Sequence, residues 1–225
     1  ETIMTDTIIT VQGRFTSFSP PERATVRLSV GFEGADRESV FSETVAVSST
    51  VRSLVSALHS PAEGPITWWS SENIQVWTTR PWNQDGAQLP SVFHSRVAFS
   101  VKFSDFAAMA AWIERVAVLD GLTVGDISWA LTEARKTAVI AEVRSRAVKD
   151  AVAKASVYAQ SIGLGSVRAL ALADPGMLGD RVGASDDGGI HPMSQMMATG
   201  AAPELSLTPE DIQVDAVVDA RFVAS

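Results

Sequence analysis

Cysteine is missing from this chain, and histidine nearly so: its 225 residues hold no Cys and three His. Without thiols there is no disulfide framework, no thiolate metal site and no cysteine nucleophile. His59, His94 and His191 fall in different elements, none in a metal-ligand spacing, and each reads as a surface or loop histidine. Long apolar runs are absent too, none approaching the roughly 18 residues of a transmembrane helix. Positive charge is short: 18 Lys and Arg against 26 Asp and Glu leave a net charge of −8. That balance excludes a general binder of nucleic acid or anionic membrane. There is no G-x-S-x-G elbow, and Gly163-Leu164-Gly165 follows a helical pattern where a dinucleotide site would follow a strand. The expectation is a protein with no cofactor, no metal and no enzymatic activity.

What is present is globular. Hydrophobic residues make up 46% and charged residues 20%, enough to fill a substantial core. Thr7 to Phe15 reads as a strand, and Ser19-Pro20-Pro21 as a turn. Val26, Leu28, Val30 and Phe32 then alternate with polar residues, a half-buried strand. Asp36 is placed to cap a helix whose inner face is Val40, Thr44, Val47, Val51, Leu54 and Leu58. A strand is expected from Ile66 to Thr79, a loop RPWNQDGAQLP, and a return strand from Ser91 to Phe103, together a long antiparallel hairpin. Ser104 is expected to cap a second helix carrying Phe106, Met109, Ile113 and Val116 inward. A strand follows over Leu122–Thr132.

The stretch from Ala134 to Ile162 contains no Gly or Pro and reads as one helix about 40 Å long. Its apolar stripe is expected at Ala134, Ala138, Ala141, Val148, Ala151, Ala155, Tyr158 and Ile162, with Gly163 as the stop. Val167–Ala173 reads as a short strand and Ile212–Val223 as the last one. Between them, residues 174–203 are rich in Gly, Asp, Met and Pro and lack periodicity, which reads as a flexible loop. Its aspartates do not fit a calcium-loop spacing, and its four methionines suit adaptable contact with a partner.

The pattern is α+β: a ferredoxin-like βαββαβ unit over residues 22–132, interleaved with a second α+β layer. The terminal strands and the long helix, residues 1–21 plus 133–225, build that layer, and 1–225 read as a single domain. Charge is divided unevenly. Glu133 to Lys154 holds six basic and three acidic residues, whereas Ala171 to Ser225 holds nine acidic and two basic. That asymmetry makes Arg144 and Arg146 candidates for contact between subunits. The other candidate surface is the hairpin, with four of the six tryptophans. Trp68 and Trp69 are neighbours and point to opposite faces, so only one need serve the core. Trp77 and Trp82 follow, with Arg80, Asn83, Gln84 and Asp85 as polar neighbours.

Four stretches resemble the SIMPL-domain family. ITVQGR at Ile9–Arg14 with PPERATVRLSV at Pro20–Val30 look like its paired opening motifs. AVKDAVAKASVYAQSIGLGSV at Ala147–Val167 resembles its Ala-rich helix, and PEDIQVDAVVDARFV at Pro209–Val223 its closing strand. The resemblance implies a mixed α+β fold, frequent self-assembly and no established catalytic residues. Many bacterial members are periplasmic or envelope-associated. The expectation is a self-assembling structural or interaction module, a homo-oligomer, with a protein or envelope component as a further partner. The alternative is a module that binds a peptide, glycan or envelope ligand at the Trp-rich hairpin 66–103. The N-terminus has no basic start followed by an apolar run, so the expected location is cytoplasmic, or the periplasm or envelope if a leader was removed.

Overall fold

A computed structural model describes residues 6–179, 190–191 and 207–225. The elements are β1 (Thr7–Ser19), β2 (Arg23–Gly34), α1 (Arg37–Ser56), β3 (Ile66–Ser71), β4 (Gln75–Thr79), β5 (Val92–Phe103), α2 (Phe106–Ala117), β6 (Leu122–Ala130), α3 (Glu133–Ser161), β7 (Val167–Ala173), β8 (Ile190–His191) and β9 (Ile212–Ala224). The fold is α+β, with two antiparallel sheets. The chain divides into two compact units: a middle unit of Glu22–Ala130 with Met197–Pro209, and a terminal unit of Glu1–Pro21, Leu131–Met196 and Glu210–Ser225.

In the middle unit the sheet order is β3-β5-β2-β6, with β4 extending the edge on β5. β2 and β3 are each antiparallel to β5, which lies between them, so they run parallel to one another: the split β-α-β arrangement. Alternation places Val26, Leu28 and Val30 of β2 beside Val97, Phe99 and Val101 of β5 on the inner face. Val51 and Val55 of α1 and Met109, Trp112, Ile113 and Val116 of α2 complete that core. The cap of α1 is Asp36, whose carboxylate accepts the Ser39 N–H at 2.7 Å. That bond holds the Asp36 carboxyl below the usual carboxylate range.

Two expectations need correcting here, and one core residue needs adding. The cap of α2 is Asp105, which accepts the Ala108 N–H at 3.0 Å; Ser104, expected in that role, donates its hydroxyl to the Gly64 carbonyl instead. The strand expected from Ile66 to Thr79 is two strands, both on β5. A bulge at Thr67 and the inward turn of Ile74 onto the core interrupt it. Trp112, given no inward role in the sequence reading, is among the largest fully buried side chains, tilted against Phe103 at 5.4 Å between centroids.

In the terminal unit β9 is central, paired with β1 along its whole length on one side and with β7 and β8 on the other. β8 lies inside the stretch expected to be a flexible loop; residues 180–189 and 192–203 of that stretch lie outside the described residues. α3 covers one face of this sheet, and its buried row is Val139, Val143, Ala147, Ala151, Ala155 and Ala159. Of the expected stripe only Ala151 and Ala155 belong to it, and Tyr158 and Ile162 are exposed. The true row takes uniform steps of four, turning about 40° per step around the helix, so it follows a twisted sheet where a mixed three-and-four stripe would run straight. It meets Ile212, Val214 and Ala216 first and Ala220, Phe222 and Ala224 last. The approach is closest at Gly13. A Cβ there would collide with the Ala147 carbonyl and lie 2.8 Å from the Ala151 Cβ. Among the described residues no helix is long and apolar enough to cross a membrane.

Candidate functional site

The helices cover only one face of the middle sheet. On the other face Thr25, Arg27, Ser29, Gly31 and Glu33 of β2 lie opposite Lys102, Ser100, Ala98, Arg96 and His94 of β5. Small residues run down its centre, and tryptophans stand at both ends. Trp68 is opposite Lys102, whose Nζ lies 5.5 Å from the ring centroid, a cation–π contact. Trp77 is opposite His94, and the two rings stack at 5.2 Å with 8° between planes. Eight residue steps along β5, from His94 to Lys102, separate the two sites, about 26 Å at 3.3 Å per residue.

His94 is the anchored member of this face. Its Nδ1 lies 3.2 Å from a Glu33 carboxylate oxygen and its Nε2 2.7 Å from the Thr79 hydroxyl. With Nδ1–H donating to Glu33, Nε2 accepts from Thr79, so both ring nitrogens are satisfied in the neutral ring. Hydroxyl, imidazole and carboxylate in this order resemble a nucleophilic relay. The Glu33 side chain is 73% exposed, however, so water competes for its oxygens, and stacking on Trp77 does the orienting. The cluster positions an aromatic wall beside a shallow, open depression that also includes Arg96, Gly31 and Thr123. Arg96 is exposed, and its side chain has no hydrogen-bond or ion-pair partner among the described residues.

The candidate residues separate cleanly. Trp68 (47% exposed) and Trp77 (44%) share the open face, and Trp82 (66%) stands in the loop beyond β4. Trp69, counted above with the surface residues, packs against the core with Val101 as its pair partner. The polar loop residues brace the loop itself. Asn83 Oδ1 accepts the backbone N–H of Asp85 at 3.0 Å and of Ala87 at 2.7 Å, and Arg80 Nε donates to the Leu89 carbonyl at 3.2 Å. Arg144 and Arg146 lie on α3, in the terminal unit. Arg144 is exposed. Arg146 pairs with Glu142 at 3.1 Å and lies over the Phe15 ring at 5.1 Å.

His94, Thr79 and Glu33 were missed as a group in the sequence. His94 is not a loop histidine but a half-buried residue of β5. The signal was its register: Glu33 is its direct partner on β2 and Trp77 on β4. Among the described residues no group of three or more His, Asp or Glu side chains could hold a metal ion.

No curated protein matches the chain. The model of the SIMPL family, described as a protein of unknown function (DUF541), matches residues 9–222. That span runs from the first strand to the last, through both sheets and all three helices described above, and the chain belongs to the SIMPL family.

Proposed function

We propose that the protein is a non-enzymatic, self-assembling structural and interaction module, and that a second copy of the chain docks on the open face of the middle sheet. The observation that carries this reading is the exposure of Trp68 and Trp77 on one sheet face, with Trp82 beyond them. Covering the exposed half of one Trp, roughly 100 Å² at about 25 cal/mol per Å², stabilises a complex by about 2–3 kcal/mol. Trp and Arg are the side chains that dominate interface energies, and Arg96 lies on the same face. The face carries both signs of charge close together, Arg27 with Asp126, and Glu33 with Arg96 and Lys102 on the same face. Mixed charge is self-complementary, whereas a face for a charged ligand would carry one sign.

Light scattering coupled to size exclusion tests the reading. The native chain should run as an oligomer at micromolar concentration, and Trp68→Ala with Trp77→Ala should lower its mass. A native chain that stays monomeric overturns it. The depression beside Trp77 favours a second reading, a ligand-binding module for a glycan or peptide. There, titration of tryptophan fluorescence with envelope glycans and peptides should give a saturable change that Trp77→Ala abolishes.

A further inference from the structure

β1 is a thirteen-residue edge strand paired with β9 in unbroken register. The other sheet edges are irregular. β7 carries an extra residue at Leu170, β3 at Thr67 and β6 at Gly125-Asp126, while β4 has only five residues. Bulges and short strands discourage pairing with another chain. β1 has neither, and it is the edge that a helix guards. Asp150 of α3 accepts the Arg14 N–H at 2.8 Å, and Lys154 donates to the Gln12 carbonyl at 2.9 Å. The two side chains also pair with each other at 2.7 Å.

Those bonds identify which backbone groups of β1 face outward. Arg14 and Gln12 do, and since backbone groups alternate sides along a strand, so do Ile8, Thr10, Thr16 and Phe18. These six side chains read symmetrically about Gly13: Ile8, Thr10 and Gln12 on one side, Phe18, Thr16 and Arg14 on the other. In an antiparallel pair of two copies centred at Gly13, Ile8 meets Phe18, Thr10 meets Thr16 and Gln12 meets Arg14. Every one of these is a hydrogen-bonded pair, because both members face outward. The register also explains two anomalies of the single chain, the exposure of Ile8 (62%) and Phe18 (58%).

We infer that the outer edge of β1 is a docking edge for the β1 of a second copy, closed at rest by Asp150 and Lys154. The inference deepens the self-assembling reading by naming a second interface. In the pair, the partner's Gln12 carbonyl takes the place of Asp150 on the Arg14 N–H, and its Arg14 N–H takes the place of Lys154 on the Gln12 carbonyl. The released carboxylate and ammonium keep their own ion pair, so the exchange leaves no charge without a partner. Burial of Ile8 against Phe18 at both ends favours the pair, and the two-fold arrangement closes on itself as a dimer.

The absence of cysteine makes a clean test. In a hydrogen-bonded antiparallel pair the Cα atoms lie about 5.5 Å apart, within disulfide range. Full-length Ile8→Cys mixed with full-length Phe18→Cys under mild oxidation should give a covalent dimer on a non-reducing gel. Either variant alone should cross-link at least fivefold more slowly. Adding Asp150→Ala and Lys154→Ala to both chains should speed formation of the mixed dimer at least threefold, and adding Thr10→Pro should suppress it. No mixed dimer, or single variants that cross-link as fast as the mixture, overturns the inference. If the Trp68→Ala, Trp77→Ala protein still gives the mixed dimer but loses mass in light scattering, the β1 edge and the tryptophan face are separate interfaces. If the native chain is oligomeric yet no mixed dimer forms, the edge fails while the self-assembling reading stands.

Discussion

The two sheets solve the same problem, covering one face with helix, in opposite ways. In the middle unit two helices stand off the sheet, and large side chains fill the gap: Trp112, Phe99, Phe103 and Met109 are fully buried. In the terminal unit one 29-residue helix comes so close at Gly13 that only a glycine fits against Ala147 and Ala151. The open faces differ too. That of the terminal sheet is laced by short bonds across the β1–β9 pair, Gln12 to Asp219 at 3.0 Å and Thr16 to Asp215 at 2.6 Å. That of the middle sheet leaves tryptophans and Arg96 in water. On the terminal sheet those bonds hold β1 to β9, and its exposed Ile8 and Phe18 stand towards the two ends of β1.

The comparison breaks most visibly under changes of volume. Trp112→Ala should cost about 3–5 kcal/mol in urea unfolding, because it empties a packed site. Gly13→Val should cost about 3 kcal/mol by the opposite route, since α3 must lift off β1 to admit the side chain. Ala151→Trp acts in the same direction as Gly13→Val. If Gly13→Ala proved neutral, the close approach of α3 to β1 would be refuted, because the added Cβ alone meets the Ala147 carbonyl.

Helix starts give the next effect in size. The twelve-residue α2 depends on its cap, and Asp105→Ala should destabilise by about 1 kcal/mol. The long α3 is held along its whole length by packing, and its Thr132 hydroxyl accepts the Arg135 N–H at a longer 3.3 Å. Thr132→Ala should therefore cost less than Asp105→Ala, and the reverse order would mean that α3 is anchored at its start.

How far such contrasts were legible in the sequence depended on periodicity. The alternation of Val26, Leu28 and Val30 defined a strand and its buried face, and Asp36 ahead of an amphipathic run defined a cap. Parity alone set Trp68 and Trp69 on opposite faces, but only the pairing with β5 showed that Trp69 is the one turned to the core. In α3 the pattern misled, because exposed Ala134, Ala138 and Ala141 look as apolar as buried Ala147 and Ala155. Only the neighbouring sheet decides which alanines are covered, and that choice is tertiary. The Asn83 brace and the His94 cluster were hidden for a similar reason, since each depends on a turn or a register that pairs residues distant in the chain. Bulges, which set the edges apart, leave no local signal in stretches such as VRALALA.

Acid should sharpen the contrast at β1. The hydrogen bond from Lys154, then the Arg14 N–H, holds the Asp150 carboxyl below the usual carboxylate range. A lowered folded-state pKa contributes stability that is fully present above the unfolded value, near 3.9, and is lost as pH falls through the folded value. Hydrogen exchange at the Arg14 amide should accordingly quicken, relative to its neighbours in β1, as pH drops below about 4. In Asp150→Asn that acid-dependent step should vanish. If the step persisted in the variant, another carboxylate would be responsible for it.

The smallest effect on stability belongs to the residues assigned the largest part in association. Trp68→Ala and Trp77→Ala each remove a ring that stands half in water on the sheet face opposite α1 and α2. Each should shift the unfolding midpoint by less than the equivalent of about 0.5–1 kcal/mol, most of it for Trp77, which loses its stack on His94. Trp69→Ala, one residue away and turned to the core, should cost about 3 kcal/mol. If Trp68→Ala proved as costly as Trp69→Ala, both rings would be structural, and the open face would lose its claim as the surface of contact. The neighbouring pair thus tests, within two residues, the division between the packed and the open side of the sheet.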